Sequence, residues 1–150
     1  MEETVRARGH ENVSAQHAST FEVTSDDWLT PAGDCILAVD ADRTPADFDP
    51  AFVRACQDEN AHIVATFEVD GSTEVVEGHG HPELTFEGDR SMVGRTSDHT
   101  DDRTVMLGAA FAAEGFDREM VEALADGAEL TLTLRVDADG DSDTDADADD

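Results

Sequence analysis

The sequence predicts a β-rich α+β fold: a sandwich-like domain of two pseudo-twofold-related halves, each with one short helix. Three observations predict it. The stretch Asp34–Asp70 recurs as Arg103–Asp137, with Phe48-Asp49 over Phe116-Asp117 at an offset of 68 and Thr66–Asp70 over Thr133–Asp137 at an offset of 67. The flanks recur too, Gly9-His10 over Gly80-His81 at 71 and Thr24-Ser25-Asp26 over Thr96-Ser97-Asp98 at 72. Most apolar residues alternate with period 2, as in half-buried strands, and helical spacing is confined to two short segments.

Thr4–Arg8 alternates and is the first expected strand. Gly9-His10-Glu11-Asn12 is a turn. Val13–Val23 alternates cleanly, with Val13, Ala15, His17, Ser19, Phe21 and Val23 on one face, and is expected to be one long strand. Ser25-Asp26-Asp27 ends it, and Trp28–Pro31 is a loop with two apolar anchors. Cys35–Val39 is apolar throughout, which predicts a central strand covered on both faces. After the Asp40–Asp47 loop, Asp49 suits an N-cap and Pro50 the first helical position. Phe52, Val53 and Cys56 then form one helical stripe. Ile63–Val69 is a strand ended by Asp70-Gly71, a two-residue hairpin signal. The second half repeats this order: Thr73–Glu77, a short alternation at Leu84–Phe86, a central strand at Thr104–Leu107, a helix capped by Asp117, and a last strand at Leu130–Val136. The two central strands are expected to pair or face each other, with each helix over a sheet end. Two copies are too few for a solenoid. The expected division is one domain over residues 1–136, in halves of about 4–70 and 73–136, and a disordered acidic tail over 137–150, which has almost no apolar content.

The formal charge is −28, and all nine basic residues are arginine. Without the tail, residues 1–136 hold 29 acidic and nine basic side chains, a charge of −20. Such a charge opposes compaction in dilute buffer, and molar salt removes most of that cost. This points to an extreme halophile; an acidic binder that mimics nucleic acid is the other source of such a composition. Nucleic acid is not expected as a partner, because no basic cluster exists to neutralise phosphates. No apolar run nears the length of a membrane span, and Met1–His10 lacks the apolar core of a signal peptide. A soluble, cytoplasmic protein is expected, with Cys35 and Cys56 as reduced thiols.

Several of these residues carry a resemblance. Gly9-His10, Phe21-Glu22-Val23-Thr24, Leu29-Thr30 and Gly33-Asp34-Cys35-Ile36, followed by Gly80-His81-Pro82, Ser97-Asp98 and Asp102-Arg103-Thr104, resemble the archaeal family catalogued as domain of unknown function 371. The similarity runs over about residues 3–136 and marks a haloarchaeal-type member. It implies a β-rich, sandwich-like archaeal domain and assigns no activity. The chain departs from the pattern in having Thr96 before Ser97, where relatives carry lysine.

The candidate site residues are those the repeat duplicates. His10 with His81 and Asp26 with Asp98 are repeat-equivalent, and a pseudo-twofold that brought them to its axis would make a ligand site. His79-Gly80-His81 is an H-x-H pair, and on a strand i and i+2 share a side. His10, His81, His79 and His17 are therefore the candidate ligands for a divalent metal, zinc or manganese. Against this stand plainer roles: turn residues where strands end, and a satisfied core histidine at His17. No P-loop, G-x-S-x-G, H-E-x-x-H or dinucleotide fingerprint is present. The leading function is a ligand-binding or regulatory domain with a site between the halves. A metal-assisted hydrolase using the His/Asp pairs and a protein–protein interaction module are the alternatives, so the partner is a small ligand or a protein.

Overall fold

The computed structural model describes residues 1–137. Apart from Asp137, the expected acidic tail lies outside them. Two four-stranded sheets face each other across one core, and two short helices lie at their ends, a β-rich α+β sandwich. The first sheet has the order β1-β8-β4-β5 and is antiparallel throughout: β1 Glu2–Arg8, β8 Glu129–Asp137, β4 His62–Val69 and β5 Ser72–His79. The second has the order β3-β2-β6-β7: β3 Ile36–Ala38, β2 Thr20–Thr24, β6 Ser91–Arg95 and β7 Thr104–Met106. Here the central pair β2–β6 is antiparallel, and the outer pairs β2–β3 and β6–β7 are parallel. The helices α1 (Pro50–Cys56) and α2 (Arg118–Ala125) each follow a 3-10 turn, Pro45–Asp47 and Ala113–Gly115.

The duplication is a true pseudo-twofold, and the ladders locate its axis. In the first sheet Thr66 pairs with Thr133, its own repeat equivalent at offset 67. In the second, Glu22 pairs with Val93 at offset 71. The axis passes through these two pairs, so each sheet is centred on strands that are copies of one another. Phe48 and Phe116, and likewise Phe52 and Met120, are matched core positions, all 4% exposed or less.

The predicted caps form. Asp49 Oδ1 accepts from the Ala51 N–H at 2.8 Å, and Asp117 Oδ2 from Met120 at 3.3 Å. Asp70 and Gly71 both have positive φ, 52° and 82°, as a two-residue hairpin between β4 and β5 requires. Gly94 stands opposite Phe21 in the β2–β6 ladder, and a Cβ there would lie 2.1 Å from the Phe21 ring. At the symmetry-related pair Val23 stands opposite Met92, so the same space is filled by different partitions of volume. Phe21 uses that room to pack edge-on against Phe67 and Phe116, at centroid distances of 5.4 and 6.0 Å.

The structure corrects three expectations. Val13–Val23 is not one strand: only Thr20–Thr24 is, because the chain turns at Ala15, which has a φ of 48°. Phe86, its equivalent, has a φ of 54°. Leu84–Phe86 is likewise a loop, and the strand of that half is Ser91–Arg95. The segments expected as central strands, β3 and β7, lie at opposite edges of the second sheet and neither pair nor face each other. Their burial comes from the corners. Val39, just past β3, exchanges backbone hydrogen bonds with Arg8 of β1 at 2.7 and 3.0 Å, and Leu107, just past β7, does so with His79 of β5 at 2.8 and 2.9 Å. Both sides of the sandwich are stitched shut in this way, which blocks the edges against further strand pairing.

Candidate functional site

The repeated Gly-His dipeptides are turns pinned beneath helix ends. A Cβ on Gly9 would lie 1.8 Å from the Leu124 carbonyl oxygen, and one on Gly80 would lie 2.0 Å from that of Cys56. The backbone of each must pass directly under the last turn of a helix, so only glycine fits. The following histidine closes the turn: His10 Nδ1 accepts from the Asn12 N–H at 3.0 Å, and His81 Nδ1 from Glu83 at 3.0 Å. His17 does the same in the loop before β2, accepting from Ser19 at 3.2 Å and Thr20 at 3.1 Å. A ring that accepts at Nδ1 carries its proton on Nε2 when neutral. None of the three rings therefore offers a free lone pair to a metal while its turn is intact.

His10 and His81 do not meet. β1 ends beside Glu129 and β5 ends beside His62, which is paired to Asp137 at the far end of β8. The two turns lie at opposite edges of the first sheet and opposite ends of it, separated along the strands alone by roughly 26 Å at about 3.3 Å per residue. Asp26 and Asp98 also lie at opposite ends of the β2–β6 ladder, and they are not equivalents: at the ladder's offset of 71 Asp26 falls on Ser97, the Asp26 carbonyl accepting from the Asp40 N–H as that of Ser97 does from Gly108. Asp26 is held by Arg90, with Oδ2 2.8 Å from Nη2 and 2.9 Å from Nε. The reason is geometric. A twofold perpendicular to antiparallel strands brings together equivalents at the ladder's centre and sends those beyond its ends apart. His79 stands opposite His62 in the β4–β5 ladder, with its Nδ1 2.8 Å from the Gly80 carbonyl, while His62 Nε2 is 2.7 Å from Glu77. Among the described residues no group of three or more His, Cys, Asp or Glu is placed to hold a metal ion.

The residues that do gather at the axis are others. Phe21 and Val23 point into the core, so Glu22 between them points out from the second sheet, directly on the axis. Its carboxylate is approached from both halves by one repeat-equivalent pair, Cys35 and Arg103, at offset 68. Cys35 Sγ donates to Oε1 at 3.4 Å, and Arg103 Nη1 stands 3.6 Å from Oε2. The backbone enforces the match, because the Glu22 N–H donates to the Cys35 carbonyl and the Val93 N–H to the Arg103 carbonyl, both at 2.9 Å. Beside them Arg95 donates from Nη2 to Asp101 at 2.7 Å and from Nε to Thr104 Oγ1 at 2.9 Å, and Thr104 donates on to Asp101 at 2.7 Å. The side chains of Glu22 and Arg95 are 14% and 13% exposed, and that of Arg103 is 43%.

The electrostatics follow the contacts. Burial pushes Asp101 up, but hydrogen bonds from Thr104 and the Arg103 N–H, with the charges of Arg95 and Arg103, hold it below the ordinary carboxylate range. Burial, then the neighbouring Glu22 charge, pushes the Cys35 thiol up to about 11, so at neutral pH it is a neutral donor. Asp26 is held low by its hydrogen bond to Arg90, which in turn lies 5.9 Å from the centroid of the exposed Trp28 ring. Sequence reasoning missed this group because Glu22 meets Arg103 through β6, the strand it did not foresee. One signal was legible: at offset 68 Cys35 falls on Arg103.

Three of the stretches that carried the resemblance, those holding Glu22, Cys35 and Arg103-Thr104, thus converge on one face. The family described as Domain of unknown function (DUF371) matches residues 5–137. An uncharacterised protein of Methanocaldococcus jannaschii is 38% identical over 130 residues, which cover 87% of this chain and 96% of that protein.

Proposed function

We propose that this chain, which belongs to the family of Domain of unknown function (DUF371), is a ligand-binding domain whose site lies between its halves, around Glu22 on the outer face of the second sheet. The observation that carries the reading is the axial carboxylate flanked from both halves by equivalent positions, Cys35 and Arg103. Partly buried charges that are paired yet reachable supply both signs of contact to a small polar molecule, and they stand on strands whose backbone is fixed. The metal-assisted hydrolase is the weaker reading, because its His/Asp pairs lie at opposite ends of the sheets. The same reading places the domain in a salt-rich cytoplasm, on the strength of the −28 charge and the use of arginine alone as cation. No helix among the described residues is long and apolar enough to cross a membrane.

The test is thermal unfolding in molar KCl with three kinds of probe at millimolar concentration: small oxyanions, small amines, and Zn²⁺ or Mn²⁺. One of the first two is expected to raise the melting temperature in wild type and to lose that effect when the complementary charge is removed, an amine in Glu22→Gln and an oxyanion in Arg103→Gln. Stabilisation that survives both Glu22→Gln and Arg103→Gln moves the site elsewhere. No stabilisation by any probe leaves the protein–protein interaction module as the reading, and stabilisation by the metals alone restores the hydrolase.

A further inference from the structure

We infer that the ligand of this site is held through an oxyanion group, a carboxylate or a phosphate, on the guanidinium of Arg103; the inference rests on the axial site proposed above.

The arginines of the chain are not used alike. Arg43, Arg90 and Arg95 each bring a nitrogen within 2.7–2.8 Å of a carboxylate oxygen, and Arg8 is paired as closely with Asp40. Arg118 donates to the backbone carbonyls of Ser14, Ala15, Ala113, Glu114 and Phe116. Arg6, Arg54 and Arg135 enter no ion pair among the described residues; Arg103 differs from all of these in standing between two carboxylates, 3.6 Å from Glu22 and 3.9 Å from Asp101, reached by different nitrogens. Neither is a hydrogen bond, and among the described residues its guanidinium makes none. Five N–H donors in a planar fork are thus left to water at the centre of the molecule's symmetry.

The fork is nevertheless positioned. The Arg103 carbonyl is fixed by the Val93 N–H and its own N–H by Asp101 Oδ1 at 3.1 Å. The stem runs past Gly88, where a Cβ would lie 3.3 Å from Arg103 Cγ. Glu22 and Asp101 stand on either side at ion-pair distance, close enough to orient the fork and too far to fill it. A guanidinium so placed accepts a planar carboxylate or a phosphate edge through two parallel N–H bonds, the strongest arrangement open to it. A cationic ligand would have to share Glu22 with Arg103 at close range. Arg90, Arg95 and Arg103 are paired with Asp26, Asp101 and Glu22, so three of the nine arginines are gathered around this site, with Asp34, whose charge reaches Cys35, as a further acid beside them.

The test follows backbone amide resonances of β2 and β6 while potassium phosphate, potassium succinate or methylammonium chloride is titrated into the full-length protein in molar KCl at constant ionic strength. Saturable shifts at these amides are expected with at least one oxyanion, at least tenfold weaker in Arg103→Gln and partly retained in Arg103→Lys. A response to phosphate alone or to succinate alone names which oxyanion the fork takes. Arg103→Lys is expected to melt with wild type and Arg103→Gln slightly lower, because the side chain makes no hydrogen bond but its charge faces Glu22 and Asp101. Oxyanion binding that is unchanged in Arg103→Gln overturns the inference. Shifts with methylammonium and none with either oxyanion overturn it too, while leaving the axial site in place. No shift with any probe removes both.

Discussion

Glu22 has its place because of a parity. It sits between Phe21 and Val23, whose burial turns it outward, and its ladder partner is the one residue in β6 that is its own equivalent. Of the acids gathered there, Asp101 has the clearest effect on stability. Its folded pKa lies below the ordinary value, so its contribution is present above the unfolded pKa of about 3.9 and is lost as pH falls through the lower, folded value. Wild type is expected to exceed Asp101→Asn in stability by a constant margin above about pH 5 and to converge with it as pH falls through the folded pKa. Paired urea titrations at fixed high salt, from about pH 6 down to about pH 2, measure this; a margin independent of pH would show that Asp101 acts through shape and not charge. The same reasoning covers the thiols. Cys35 is pushed up to about 11 and Cys56, in the core, to about 12, both by burial first. At about pH 8 both are expected to resist a thiol reagent in the folded protein and to react on unfolding. Ser91 makes the opposite case, being 2% exposed with no partner for its hydroxyl among the described residues. An unpaired buried hydroxyl costs about 1–3 kcal/mol, so Ser91→Ala is expected to leave stability unchanged or to raise it by about 1 kcal/mol. A loss larger than that in chemical denaturation would mean that the hydroxyl has a partner in solution.

At the scale of elements the two helices are short, seven and eight residues, and owe their start to one aspartate each. Asp49→Ala and Asp117→Ala are each expected to cost about 1 kcal/mol in chemical denaturation, with Asp49→Asn and Asp117→Asn close to wild type. Equal losses for Ala and Asn would assign the effect to charge and not to the cap. The caps were legible in the sequence, and so were β1, β4, β5 and β8, because a strand with one wet face alternates and a capped helix announces its first turn; β3 and β7 showed instead as short apolar runs at matching places in the repeat. The failures also have physical causes. Val13–Ser19 alternates as a strand would, but nothing local in the sequence shows that Ala15 takes a left-handed conformation; Arg118, from the other half, holds its carbonyl at 3.0 Å. β6 was unreadable for the opposite reason. Ser91, Met92, Val93 and Gly94 are all buried, so no alternation survives. The site shared that fate. Equivalent residues meet only near the axis, and where the axis passes depends on the register of β2 against β6, of which the sequence shows only one strand.

At the scale of the whole molecule the duplication makes a sandwich with a common core, sewn at both corners by the Arg8–Val39 and His79–Leu107 bridges. Its surface carries the acid excess, for the described ion pairs consume only a few of the 37 carboxylates. Unfolding moves these charges apart, so self-repulsion favours the unfolded chain and screening favours the folded one. The Debye length falls from about 10 Å at 0.1 M salt to about 3 Å at 1 M, which is shorter than the spacing of most surface charges. The melting temperature is therefore expected to rise steeply between about 0.1 and about 1 M KCl and more slowly beyond, where only the general exclusion of salt from protein surface remains. The two contributions separate experimentally. Molar sucrose, which is excluded from the surface but does not screen, is expected to stabilise the protein far less than about 1 M KCl does. Equal stabilisation by sucrose and by KCl, or a melting temperature indifferent to salt, would remove charge repulsion as the cause and with it the reading of the acidic composition as an adaptation to molar salt.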